Sequence, residues 1–352
     1  MKVLLLTSNP GFGGAEKSLM RLATSLKMKG FLPTLVFLST YGNNQTPDDI
    51  ETVFLTDKNT NRFGFFEKFI LVRRLNKLMH KLGTFCVVST LPLADEINFR
   101  SRSKRKIYRL ANVFAEQISS ITKPKKRDRR LSRYKKIYNS GQNVALTQSI
   151  REELENFLGC NPSLLTVIHN YVDFQNIESL RKENIDLKDP FCIHVARFAS
   201  QKRHDLLIKT WKAFPDLPLL VLLCNPNKEL IQLIENNGLT DRFFVAGHHK
   251  NPYKYIARSE ALILCSDHEG FPTVILEGMA CGTKVIITDG AAGSLEIMND
   301  RKSNIAKHND IESLGKTIME TLNQATPSYQ EELNYFSEKN ALKAWVKVIR
   351  DN

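Results

Sequence analysis

The sequence predicts an α/β protein built from two parallel-sheet domains. Three observations predict it. Short apolar runs of strand length alternate with stretches of helical periodicity, the pattern of successive strand–helix–strand units. The alternation occurs twice, on either side of a polar segment, residues 173–190, that carries charges of both signs and ends in proline. The 352 residues also exceed twice a typical domain of roughly 150 residues. The expected domains are residues 1–175 and 190–335, with a closing helix over 336–352 that packs back on the first domain. Parallel sheets bind ligands at the carboxyl ends of their strands, here expected to face each other across a cleft.

The elements follow in order. Residues 3–7, Val3-Leu4-Leu5-Leu6-Thr7, are a short and mostly apolar run. A secretory leader needs an apolar region of about 7–15 residues and a small-residue cleavage site, so the run reads as a strand. It enters the turn Asn9-Pro10-Gly11-Phe12-Gly13-Gly14. Residues 15–29 read as a helix with Leu19, Leu22, Ala23 and Leu26 on one face. Residues 34–38 read as a strand, 65–81 as an amphipathic helix and 85–89 as a strand. Residues 94–110 read as a helix and 111–115 as a short strand. A strand (143–147), a helix (150–158) and a strand (164–168) complete the first half. In the second half, strands are expected at 191–196, 219–223, 243–246, 261–265 and 284–288. Helices are expected at 204–212, 228–236, 253–257, 273–280 and 311–323, with a last one near 335–350.

Composition excludes several classes. Hydrophobic content of 42% and charged content of 25% rule out a wholly disordered or collagen-like chain. No run of about 18 apolar residues occurs, so no transmembrane helix is expected. Six cysteines lie scattered without a CxxC pair, which suits buried thiols in a reducing, cytoplasmic compartment. The histidines form no ligand cluster, and no metal site is expected.

The formal net charge is +13, and residues 100–136 hold 15 Lys or Arg against only Glu116 and Asp128. That stretch accounts for the whole excess, which implies an anionic partner: phospholipid, nucleic acid or a polyphosphate. Its densest part runs from Lys123 to Lys136. The helix near it adds Phe63, Phe65, Phe66, Phe69, Ile70 and Leu71 beside Arg73, Arg74, Lys77 and Lys81. Apolar and basic groups together suit an anionic membrane surface. A solvated loop beside a helix packed as core is the competing reading.

Three constellations carry candidate chemistry. Gly11-Phe12-Gly13-Gly14-Ala15-Glu16 joins the first strand to the first helix; glycines admit a close ligand and a helix N-terminus favours anions, although a plain tight turn fits equally well. Arg197 and Lys202 leave the end of the strand at 191–196; a guanidinium fork and an ammonium suit a pyrophosphate, while on spacing alone a solvated loop is the simpler reading. The third is the segment Ser266-Asp267-His268-Glu269-Gly270-Phe271-Pro272-Thr273, followed by a helix containing Glu277. Pro272 suits a first helical turn. A carboxylate in the loop and another inside the helix suit sugar and ribose hydroxyls. Glu277 sits among apolar residues, where an unpaired charge is costly.

Glu269 and Glu277, with seven residues between them in EGFPTVILEGMACG, resemble the Glu-x7-Glu signature of the family-4 retaining glycosyltransferases, which have the GT-B fold of two Rossmann-like domains. GGAE at residues 13–16, HVARFASQK at 194–202 (Ala196 in place of the usual Gly), Asn170-Tyr171-Val172-Asp173, and the Gly-rich turn at 289–296 extend the likeness over most of the chain. The resemblance is to enzymes that assemble lipid-linked polysaccharide repeats. It implies that Arg197 and Lys202 bind the donor diphosphate. Glu277 would hold the donor ribose. Glu269 would hold the donor sugar with the backbone of Gly270, Phe271, Pro272 and Thr273. Gly13 and Gly14 would approach the transferred sugar or phosphate. The donor expected is a nucleotide sugar, UDP-linked, carrying a hexose or N-acetylhexosamine; the acceptor expected is a glycan or polyprenyl-linked glycan. No cofactor or metal is implied.

One departure matters. Many family members place a histidine near the reacting carbon, whereas the matching region here, residues 89–95, has none. The departing phosphate can take the acceptor proton in its place, and Asp95 and Glu116 are the acceptor-side candidates. The resemblance also places the chain on the inner face of the cell membrane as a peripheral protein. A non-catalytic basic protein binding nucleic acid or membrane on the same fold is the alternative; it leaves Glu269 and Glu277 without purpose. A nicotinamide enzyme is disfavoured because GxGxxG is absent.

Overall fold

A computed structural model of the chain describes residues 1–11, 13–42, 46–59, 63–111, 113–187, 190–225, 227–299 and 301–350. Phe12, in the first turn, lies outside them, as do residues 188 and 189 of the polar segment. The chain forms two units, Met1–Asn170 with Glu338–Asn352, and Tyr171–Ser337. Both are α/β with an all-parallel sheet, Rossmann-like in winding.

The first unit runs β1 (Lys2–Thr7), α1 (Gly14–Met28), β2 (Leu32–Phe37), β3 (Glu51–Phe54), α2 (Phe65–Leu82), β4 (Cys86–Thr90), α3 (Pro92–Arg100), β5 (Arg105–Leu110), α4 (Phe114–Ser119), α5 (Pro124–Tyr138), β6 (Gln142–Ala145), α6 (Gln148–Asn156) and β7 (Leu165–Val167). Among the described residues its sheet has seven strands in the order β3-β2-β1-β4-β5-β6-β7. Val3, Leu4, Leu5 and Leu6 are fully buried, as expected of a central strand covered on both faces.

The second unit runs α7 (Phe174–Leu180), β8 (Phe191–Val195), α8 (His204–Ala213), β9 (Leu219–Leu223), α9 (Lys228–Asn236), β10 (Phe243–Val245), α10 (Tyr253–Ile256), β11 (Ala261–Leu264), α11 (Thr273–Cys281), β12 (Lys284–Thr288), α12 (Ala292–Met298), β13 (Ile305–Ala306), α13 (Ile311–Leu322) and α14 (Gln330–Tyr335). Its six described strands are ordered β10-β9-β8-β11-β12-β13. The last helix, α15 (Glu338–Arg350), returns to the first unit. It buries Leu342, Trp345 and Ile349, and the Glu338 carboxylate accepts a hydrogen bond from Ser25 of α1.

Several expectations need correction. The helix read over 94–110 stops at Arg100, and residues 105–110 are the strand β5. Arg105, Lys106 and Arg109 disguise it, yet Ile107, Tyr108 and Leu110 are buried in the sheet. Of the strand read at 111–115, residue 112 lies outside the described residues, Val113 caps α4, and Phe114 and Ala115 begin it, their amides donating to the Glu153 carboxylate. The edge strand β3, four residues with no fully buried side chain, escaped the sequence. The polybasic run forms the ordered helix α5, with Tyr134, Ile137 and Tyr138 buried. The polar segment is not wholly a connection either. Asp173 caps α7, Arg181 Nη1 donates to the Cys281 carbonyl at 2.9 Å, and Asn251 Nδ2 donates to the Leu180 carbonyl at 2.8 Å. These bonds fasten it to the second unit.

All six cysteines are free and buried; burial pushes the Cys86 thiol up to about 11. No described helix is long and apolar enough to cross a membrane.

Candidate functional site

In each sheet the strand order reverses direction once. An open parallel sheet offers its ligand crevice there, because the two loops leave in opposite directions. In the second unit the reversal lies between β8 and β11, which pair in register at Ala261–Cys192 and Leu262–Ile193. The loops after these strands carry Arg197 and Lys202, and Glu269 with Gly270 to Thr273. Adjacency of the strands brings residues some 67 positions apart into contact.

The two loops are bonded to each other along their length. The Asp267 amide donates to the Gln201 carbonyl at 2.9 Å, and Gln201 Nε2 donates to the His268 carbonyl at 3.0 Å. Next along, Lys202 Nζ pairs with the Glu269 carboxylate. Their side chains are only 16% and 11% exposed, so this pair is better shielded than a surface bridge. An ammonium has three donors; Glu269 occupies one. Arg197 is exposed at the mouth of the loop, and among the described residues it makes no ion pair or side-chain hydrogen bond. A cation held in place and a second free to turn are what an incoming polyphosphate needs.

Arg203 locks the arrangement from behind. It adopts a left-handed backbone, φ 55°. Its guanidinium donates to Asp205 at 2.9 Å, to Asp267 at 2.8 Å and to Asn309. Those acids hold its own protonation well above the ordinary range. His308 Nε2 also lies 3.1 Å from Asp267, and its amide donates to Asp289 at 2.6 Å. The loop after β13 is thereby tied to the one after β11.

The α11 N-terminus follows Glu269. Pro272 supplies the extended N-cap and has no N–H, so the backbone donors of this segment are the amides of Gly270, Phe271 and Thr273. Phe271 is buried against Phe336, ring centroids 5.5 Å apart, which fixes the turn. Glu277, half-buried, lies on the same helical face as Thr273, about 6 Å further along the axis. Gly293 of α12 approaches the loop so closely that a Cβ there would sit 2.6 Å from the carbonyl oxygens of Glu269 and Gly270.

Beneath the site, His194 and His204 pack edge to face with centroids 4.8 Å apart. His194 Nδ1 bonds the Ile263 carbonyl at 2.8 Å, and burial lowers its protonation to about 3 and that of His204 to about 4. Both are neutral core groups. No group of three or more His, Cys, Asp or Glu among the described residues could hold a metal.

The first unit reverses between β1 and β4. Gly13 caps α1 and Gly14 begins it. A Cβ on Gly14 would meet nothing within 4 Å, whereas one on Gly13 would sit 2.4 Å from the Glu16 carboxylate, which folds back over the turn. The turn after β4 contains Leu91 at φ 78°, a conformation L-residues avoid. Asp95 follows in α3 and is 1% exposed. It accepts from Ser89 Oγ at 2.6 Å and Tyr138 OH at 3.1 Å. Burial raises its protonation to about 7 against the pull of those two bonds. Both oxygens are thus spent inside the unit, joining β4, α3 and α5. Glu116, half-buried in the first turn of α4, keeps access to solvent.

Reading the sequence missed two residues of note. Arg203 is one. Arg109, 2% exposed at the end of β5, is the other; it donates to Thr90 at 3.1 Å, Ser18 at 2.6 Å and Asn170 at 2.5 Å, pinning Asn170 to the β4 and α1 termini. A basic residue alternating with buried apolar ones was the available signal.

Residues 175–341 match the family described as Glycosyl transferases group 1. Over 151 residues the chain is 34% identical to the N-acetylgalactosamine-N,N'-diacetylbacillosaminyl-diphospho-undecaprenol 4-alpha-N-acetylgalactosaminyltransferase of Campylobacter jejuni, covering 42% of this chain and 41% of that protein. It is 28% identical over 155 residues to the N-acetyl-alpha-D-glucosaminyl L-malate synthase of Bacillus anthracis, covering 41% and 40%. The chain thus spans about four-tenths of the length of these curated relatives. Anabaena Alr3699/HepE, solved with UDP and glucose, superposes with a TM-score of 0.80 over 100% of both chains at 18% identity. WaaG, a lipopolysaccharide glycosyltransferase, gives 0.77 over 100% of both chains at 15%. These likenesses establish the fold as GT-B.

Proposed function

We propose that this chain, whose residues 175–341 form a glycosyltransferase group 1 domain, moves a hexose or N-acetylhexosamine from a UDP-sugar to a glycan or lipid-linked glycan with retention of configuration. The observation that carries the reading is the second unit's switch point: Lys202 paired with Glu269, unpaired Arg197 beside them, and the α11 N-terminus leading to Glu277. Support for the acceptor comes from the name of the Campylobacter relative, a transferase acting on a diphospho-undecaprenol glycan. Support for the donor comes from the UDP and glucose bound by HepE.

In this reading Arg197 and Lys202 grip the diphosphate oxygens and stabilise the charge that builds as the bond from sugar C1 to phosphate oxygen breaks. Glu269 and the amides of Gly270, Phe271 and Thr273 orient the sugar. Glu277 accepts hydrogen bonds from the ribose hydroxyls. Gly13 and Gly14 leave room for the transferred group. The acceptor hydroxyl attacks C1 on the face the phosphate leaves, and its proton passes to the departing phosphate oxygen, so no protein base is assigned. No metal is assigned a role.

The same reading docks the first unit on the inner face of an anionic membrane. Phe65, Phe66 and Phe69 of α2 are 78%, 70% and 55% exposed, while Leu71, Leu75 and Met79 serve the core. Glu96 pairs with Lys68 of α2 and with Arg133 of the basic helix α5, so aromatic and cationic groups share one surface. Vesicle sedimentation checks it: pelleting should require anionic lipid and fall on joint Phe65→Ser and Phe66→Ser substitution.

The activity test is UDP release from a panel of UDP-hexoses and UDP-N-acetylhexosamines, with the anomeric configuration of the released sugar followed by NMR. Release from one member with configuration retained, lost on Glu277→Ala, is expected. No release from any member, or inversion, would contradict the reading.

A further inference from the structure

The first unit carries a second basic feature at the amino ends of its strands, the end opposite Gly13 and Gly14. A cavity of about 770 Å³ lies where β1, β4, β5 and β6 begin. Four cations line it, Lys2, Lys104, Arg105 and Lys106, and no acidic side chain does. Among the described residues none of the four makes an ion pair. Lys2 Nζ donates to the Leu82 carbonyl at 2.7 Å, and Lys106 Nζ to the carbonyls of Ser101 and Ser103 at 3.2 and 3.1 Å. Lys104 lies over the half-exposed Phe85 ring, 5.4 Å from its centroid.

Arg105 is the least satisfied of the four. Its Nε and Nη2 are both buried, closed to solvent and to the cavity, and both lack a hydrogen-bond partner among the described residues. A buried charged donor left unmade is costly, and an anion in the cavity beside it offsets that cost through its charge, without touching those two nitrogens. Four uncompensated cations exceed the need of a single carboxylate, and the cavity is within the size range of small-molecule sites.

We infer that this end of the first sheet binds a phosphate-bearing ligand, held by the combined charge of Arg105, Lys2, Lys104 and Lys106, with Phe85 and Leu164 against its non-phosphate part. The ligand is a soluble organic phosphate or the headgroup of a membrane lipid; both present the same oxygens. The site is separate from the diphosphate-gripping pair of the second unit and does not depend on its assignment.

The test uses the full chain carrying Arg197→Ala and Lys202→Met, so that pyrophosphate has no second-unit site. Hydrogen–deuterium exchange with inorganic pyrophosphate should protect segments 83–86, 104–107 and 140–142. Calorimetric affinity should fall at least about tenfold on Arg105→Gln, the loss expected on removing one close charge. It should fall about threefold on Lys104→Ala, an exposed position whose substitution leaves the fold intact. Vesicles of phosphatidylglycerol protecting the same segments, in competition with pyrophosphate, would identify a lipid source; protection by pyrophosphate with no vesicle effect would identify a soluble one. No protection at these segments, or protection and affinity indifferent to both substitutions, would overturn the site.

Discussion

The loops at the two points where strand order reverses are built from opposite materials. After β8 and β11 the second unit places charge: Lys202 against Glu269, exposed Arg197, and the Arg203–Asp267 clasp. After β1 and β4 the first unit places glycines, a strained Leu91 and an acid turned inward. On the proposed function, the same winding yields one loop pair suited to a fixed polyanion and another that leaves space. A donor's diphosphate is a constant chemical feature and rewards preorganised cations. A variable acceptor rewards room.

The contrast can be broken first at Gly293. Gly293→Val pushes into the carbonyls of Glu269 and Gly270; transfer activity should drop at least about a hundredfold, the scale of a 1 Å displacement in a positioned site, while circular dichroism stays native. Lys202→Met comes next. It removes a cation and strands a nearly buried Glu269, so kcat should fall about a hundredfold or more; a loss under threefold would remove Lys202 from the chemistry.

Asp95→Asn probes the first unit's inward acid, with an effect on stability rather than rate. The folded carboxyl titrates near 7, above the unfolded value near 4. The folded state therefore binds more protons in that window, and wild-type stability declines as pH rises from about 4 to 7. The Asp95→Asn variant should be the more stable by on the order of 3 kcal/mol at pH 8, with the advantage gone at pH 4. Denaturant unfolding at the two pH values reads it. The smallest effect is Gly14→Ala. Nothing crowds that position, and Ala favours a helix by about 0.5–1 kcal/mol, so Tm should rise slightly. A simultaneous tenfold fall in kcat/KM would mark ligand approach at Gly14; unchanged activity would make the turn purely structural.

Much of the second unit was legible because its signals are local. Glu269, Pro272 and Glu277 lie within one loop and helix, and Arg197 and Lys202 follow directly from a clear strand. What was not legible is the Lys202–Glu269 pair itself, which exists only because β11 lies beside β8. The Arg203, Asn309 and His308 contacts are equally long-range and follow a strand of two residues, Ile305–Ala306. In the first unit, Arg105, Lys106 and Arg109 made a strand look like a polar helix; burial of all four residues from Ile107 to Leu110, a tertiary fact, decides it. Asp95 looked available from its place after β4, and Tyr138, 43 positions away, closes it off.

Calorimetric binding of UDP to the wild-type chain and to the Arg197→Ala, Lys202→Met and Glu277→Ala variants tests the central claim most directly. Saturable one-site binding to wild type, weakened at least about tenfold by each substitution, is the result expected. Equal affinity in all four chains, or no binding to the wild type, would contradict the assignment of the second unit's switch point as the donor site.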